Sequence, residues 1–138
     1  MQRIVVAAKA GADQPWVAGA AAQLAQETGA SVAVVSVDGI EVEMLSPTPR
    51  SEMAGLALKA AEAMAGHIRA AGVEATADVR PGKVVPGILL FAEEQEADVI
   101  VCSGSTRGPV ARRILGTVPT ALIQRSRRPV LVISAPTE

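Results

Sequence analysis

"DVIVCSGSTRGPVARRILGTVPTALIQRSRRPVLVIS", residues 98–134, is the stretch from which the rest of the chain can be read. It opens on a short apolar run, 98–103, rich in Val and Ile, as a strand buried on both faces would be. It closes on a second such run, 129–134, with "TVPTALIQRS" (117–126) in helical spacing before it. Between the first strand and the helix lies a loop carrying Gly104, Gly108 and Gly116. Strand, loop, helix and strand in this order make a crossover unit, and a crossover joins parallel strands.

The same alternation extends towards the N-terminus. "GILLFAEEQEA" (87–97) reads as a helix, and Pro86 suits its start. "EATADVR" (74–80) alternates as a strand does, and "PG" (81–82) turns the chain after it. A long amphipathic helix is expected from Ser51, closed by Gly72. Its apolar rows are Leu56, Ala60, Met64, Ile68 and Met53, Ala57, Ala61, Ala65. The segment 38–50, with two prolines and little periodicity, reads as a surface excursion. "SVAVVSV" (31–37) and "RIVVAA" (3–8) are continuous β-branched and apolar runs. Between them 14–29 has helical spacing, with Trp16, Ala20 and Leu24 four apart, Asp13 placed to cap its start and Gly29 to end it. The order β-α-β-α-β-α-β-α-β predicts an α/β fold of three layers, a parallel sheet with helices on both faces.

Composition narrows the class. A chain of 138 residues fits one domain over 1–138 and can bury a real core. That core must come from Ala, Val, Ile and Leu, because the chain is 49% hydrophobic but only 1% aromatic. No apolar run approaches the ~20 residues of a membrane span, and the N-terminus reads as a strand. A cytoplasmic protein without membrane insertion is expected. Cys102 is the one cysteine and His67 the one histidine, so neither a disulfide framework nor a usual zinc site is expected. A net charge of −1 argues against general nucleic-acid binding. From Val99 onward, however, Arg107, Arg112, Arg113, Arg125, Arg127 and Arg128 stand against Glu138 alone. A basic end of this kind would draw an anionic ligand or serve as a solvated surface.

With "FAEEQEADVIV", "RRILGTV" and "RRPVLVI" near its end and "RIVVAAKAGA" at its start, the chain resembles the universal stress protein family over nearly its whole length. The resemblance implies a doubly wound five-stranded sheet in the order 3-2-1-4-5, of the adenine-nucleotide alpha-hydrolase-like kind. It also implies a homodimer formed through the last strand, from Pro129 to Ile133. One branch of the family binds ATP through a loop of pattern G-x2-G-x9-G-[ST] after the fourth strand. Here Gly116, Thr117 and Val118 keep the second part of that pattern, at the start of the last helix. Free N–H groups there carry partial positive charge and suit a phosphate. The first part departs, because the two earlier glycines fall on Ser103 and Thr106; a one-residue deletion would move the first to Gly104. Nucleotide-binding members also carry Asp, Gly and Ser at the end of the first strand, where this chain has Lys9, Ala10 and Gly11. Lysine can only donate, so Lys9 suits an anion better than a sugar edge.

The implied ligand site comprises Ala8, Lys9, Ala10 and Val37, then Cys102, Ser103, Gly104, Ser105, Thr106 and Arg107, with Gly116, Thr117 and Val118. Cys102 also reads as a small packed hydrophobe and His67 as a surface residue. Trp16 reads as packing the first helix. The expected function is a non-catalytic stress-response or regulatory protein binding ATP, another adenine nucleotide or a related small anion. The alternative is a dimeric interaction scaffold that has lost its nucleotide. A slow ATPase is the third reading, with no carboxylate pair or Ser/His/Asp set in the sequence to serve it.

Overall fold

The computed structural model describes residues 1–39, 50–104 and 116–136. Nine elements follow one another within them. They are β1 (Arg3–Ala7), α1 (Pro15–Thr28), β2 (Ser31–Gly39), α2 (Arg50–Ala70), β3 (Ala75–Gly82), α3 (Val84–Glu94), β4 (Val99–Ser103), α4 (Thr117–Arg125) and β5 (Val130–Ile133). The five strands form one parallel sheet in the order β3-β2-β1-β4-β5, as expected. The winding therefore runs outward from β1 in both directions, and it reverses between β1 and β4.

Strand alternation divides the core between the two faces of the sheet. Ile4, Val6, Val32, Val34, Val99 and Val101 pack with Val17, Ala21 and Ala25 of α1 and Ala61, Met64 and Ile68 of α2. Val5, Ala7, Ala33, Val35, Ile100 and Cys102 pack on the other face with Ile88 and Phe91 of α3 and Leu122 of α4. Small residues let the helices lie close to the sheet. A Cβ added to Gly87 of α3 would come within 3.0 Å of Val37 Cγ2. No helix among the described residues is long and apolar enough to cross a membrane.

Several local expectations are corrected. Asp13 does not cap α1. Gln14 is the N-cap residue, because Pro15 takes the first helical position. The carboxylate of Asp13 lies 3.3 Å from His67 Nε2 instead, and both side chains are exposed. The buried stripe of α1 is Val17, Ala18, Ala21, Ala22 and Ala25, with Trp16 and Leu24 at its margin. On α2, Leu56 is exposed, although Ala57, Ala60, Ala61, Met64, Ala65 and Ile68 form the buried rows. The Met53 side chain lies outside the described ones. Pro81 and Gly82 do not turn the chain but extend β3, pairing with Asp38 and Gly39 of a longer β2. Proline is tolerated there because β3 is an edge strand. Of the expected excursion at 38–50, residues 40–49 lie outside the described residues. Helix α3 starts at Val84, ahead of Pro86, whose missing N–H falls where a first turn has no acceptor anyway. It ends at Glu94 rather than continuing to Ala97.

Candidate functional site

The strands end at one edge of the sheet, and the reversal of winding between β1 and β4 marks the place on that edge where parallel sheets of this kind form a ligand crevice. After β1 the chain stays bound to β2 for one more residue, the Ala8 N–H donating to Val35 O at 2.8 Å. It then turns tightly: Ala12 N–H reaches Lys9 O at 3.1 Å, and Gly11 takes φ +80°, a conformation open to glycine without strain. Ala8 is buried, Ala10 is half-buried and the Lys9 side chain is exposed.

Gln14 joins this turn to β4. It is 4% exposed, and its amide makes two hydrogen bonds. Its Oε1 accepts from Lys9 N–H at 3.3 Å, and its Nε2 donates to Ser103 Oγ at 2.7 Å. The structure thereby brings two of the expected site residues, Lys9 and Ser103, onto one buried amide. Reading along the sequence missed Gln14. The signal was Pro15, since a proline favours the first helical position and so makes the residue before it the N-cap.

At β4 the side chains alternate. Ser103 points to the face of α1, and Cys102 to the face of α3 and α4, where it is buried among apolar side chains. Burial pushes its thiol from the ordinary 9.0 up to about 11. Gly104 continues the edge, its N–H donating to Ile133 O at 2.9 Å. Val37 likewise has its side chain in the core, beneath Gly87. Cys102 and Val37 can therefore offer a ligand backbone groups only. Ser105, Thr106 and Arg107 lie outside the described residues.

The start of α4 returns to the same edge. Gly116 is its N-cap, with φ 102° and ψ 162°, and no side chain caps the helix. Only glycine adopts that backbone readily. Thr117 is exposed, while Val118 packs on the core beside α3. The N–H groups of the first turn are therefore fixed donors at this edge, which Ser103 shares at the end of β4 and Lys9 in the turn after β1.

Three arginines of the basic end lie away from this site. Arg125, Arg127 and Arg128 sit at the opposite edge, where the strands begin. Arg128 donates to Ala97 O, just before β4, and holds the Glu93 carboxylate at 3.2 and 3.3 Å. That guanidinium lowers the pKa of Glu93, first through the hydrogen bond and then through its charge. With Arg125 and Arg127 it borders a cavity of about 370 Å³ over Leu89 and Ile100. The reason is topological: a crossover helix runs back along the sheet, so the two ends of α4 lie at opposite edges. Arg112 and Arg113 lie outside the described residues.

A model of the universal stress protein family matches residues 1–134. No curated protein sequence gives a significant match. Among solved structures, a universal stress protein from Archaeoglobus fulgidus is 28% identical, with a TM-score of 0.76 over 96% of this chain and 98% of that one. The A. fulgidus universal stress protein in complex with dAMP is 26% identical, with a TM-score of 0.69 over 96% and 98%. A family protein from Arabidopsis thaliana with AMP bound, 17% identical, shares the fold at a TM-score of 0.71 over 99% and 94%. A family match running from the first strand through the last, on a sheet wound in this order, places the chain in the universal stress protein family.

Proposed function

We propose that the chain is a non-catalytic stress-response protein that binds an adenine nucleotide through its phosphates, at the edge formed by β1, β4 and the start of α4. The observation that carries this reading is the uncapped N-terminus of α4 at Gly116, beside the crevice where the winding reverses. Gly116, Thr117 and Val118 would supply backbone donors to a phosphate, the Ser103 hydroxyl a further one, and Lys9 a mobile positive charge. The A. fulgidus relative in complex with dAMP supports the choice of an adenine nucleotide. Ser105, Thr106 and Arg107 belong to the same proposed site by their place in the chain, with ATP as the ligand to try first. A homodimer joined through β5 and a cytoplasmic setting complete the reading.

Calorimetry with ATP, AMP, dAMP and cAMP tests it. Charge-assisted hydrogen bonds contribute about 1.5–3 kcal/mol each, so two or three bring an affinity into the measurable range. Binding is expected to be weak, and selectivity among bases low, because Lys9 cannot accept a hydrogen bond from a sugar or base. Gly116→Glu is expected to abolish binding by placing a like charge at the phosphate position and a side chain where φ is 102°. Absence of heat and of a thermal shift at millimolar nucleotide would overturn the reading.

The second reading, a dimeric scaffold without nucleotide, draws on two observations. Three arginines of the basic end face the opposite edge, and the side chains of Val37 and Cys102 are committed to the core. A null result with every nucleotide would select it.

A further inference from the structure

We infer that Gln14 is a positioning residue that turns the Ser103 hydroxyl into an outward donor for an anionic oxygen. The inference rests on the nucleotide reading above and specifies what holds the phosphate on the β4 side. Glutamine is an unusual choice here. It is a poor helix cap, and its side chain makes no capping bond to α1. Burying an amide is costly unless both of its ends are hydrogen-bonded. Both ends are used, and neither serves the helix.

The direction of each bond follows from its partners. The Lys9 N–H can only donate, so Gln14 must present Oε1 to it. Nε2 is thereby left facing Ser103, and as a donor it obliges Oγ to accept. The hydroxyl proton is then directed away from Gln14, and among the described residues it meets no acceptor. Gln14 is 4% exposed, so its amide is held by its surroundings, whereas Ser103 is half-buried and its hydroxyl is within reach of a ligand. Its backbone is anchored as well, because Gln14 O accepts from Val17 N–H at 3.0 Å and Ala18 N–H at 3.2 Å. One residue therefore fixes the ends of β1 and β4 together and orients a donor at the crevice between them.

A double-mutant cycle on ATP affinity, measured by calorimetry, tests this. Ser103→Ala and Gln14→Ala are each expected to weaken ATP binding by about tenfold or more, the worth of one hydrogen bond to a charged oxygen. In the Ser103→Ala background, Gln14→Ala is expected to cost less than about twofold, because the group it positions is already gone. A merely structural glutamine would instead give additive losses, and additive losses overturn the inference. So does a Ser103→Ala variant that binds ATP as tightly as the unaltered protein. Gln14→Met fills the same space without an amide and replaces Gln14→Ala if the latter does not fold; its melting temperature reports any general damage. Failure of the unaltered protein to bind ATP overturns the nucleotide reading and this inference together, whereas ATP binding with additive losses overturns this inference alone.

Discussion

Cys102 and Ser103 are adjacent in the chain and face opposite sides of the sheet, and the period of a strand accounts for the difference. Cys102 enters the apolar layer under α3 and α4, with its thiol raised to about 11 by burial. It is therefore expected to react slowly with a thiol reagent at pH 8 in the folded protein and rapidly once unfolded. Equal rates in the two states would contradict its placement. The shift also sets a sign for stability. The unfolded thiol ionises near 9.0 while the folded one stays protonated, so this contribution is complete below pH 9 and is lost as pH rises towards 11. A Cys102→Ala variant should lose less stability over that window, measured by denaturation at pH 7 and pH 10. The inward thiol was legible in the sequence, since a cysteine closing a run of Val and Ile is ordinarily packed. The partner of Ser103 was not, because Gln14 is 89 residues away and no local pattern links them.

Element identity was readable because apolar spacing changes sharply between strands and helices; element ends were not, because they depend on tertiary partners. β3 runs on through Pro81 because β2 offers Asp38 and Gly39 as neighbours, and an edge strand has a free side for a residue without an N–H. The end of α3 is similar. Its sequence continues in helix-favouring residues, yet Glu96 N–H bonds Glu93 O at 3.1 Å and Ala97 N–H bonds Ala92 O at 3.0 Å. This is a Schellman closure, which needs a left-handed residue after the cap, usually glycine. Glu96 fills that place with φ 51°, alone among the described non-glycine residues in having a positive φ. The burial of Ala97 against Phe91 and Ile100 sets the stop and outweighs the strain. Glu96→Gly should therefore stabilise the protein by about 0.5–1 kcal/mol, raising its melting temperature by roughly 2–4 °C. Glu96→Val should lower it, since a β-branched residue tolerates that backbone worst. A calorimetric scan that leaves Glu96→Gly unchanged or less stable would contradict this account of the helix end.

At the scale of the molecule, the layers followed from the alternation of elements and the strand order from the family resemblance, and the sheet's two edges then differ in a way that bears on assembly. The β3 edge carries Pro81 and the ionic groups Asp78 and Arg80, with Arg80 paired to Glu94 at 3.0 Å and lying over the Phe91 ring. Charge and proline discourage another strand from adding there. The β5 edge is Val130, Leu131, Val132 and Ile133, with no charge along it. Its side chains divide as the period of two requires: Val130 and Val132 pack beside α3 and α4, and Ile133 packs on the opposite face. Leu131 is 39% exposed and joins neither cluster. A second copy meeting this edge would cover Leu131 and the free backbone groups of β5, whereas Ile133 already serves the fold. The two residues should thus respond differently to the same substitution. Leu131→Lys is expected to keep its melting temperature at high dilution while its mass in light scattering falls to that of a monomer. Ile133→Lys is expected to lower the melting temperature, because it places an ammonium against the core. A Leu131→Lys variant that keeps a dimer's mass would remove β5 as the interface, and an unaltered protein of monomer mass would remove the dimer itself.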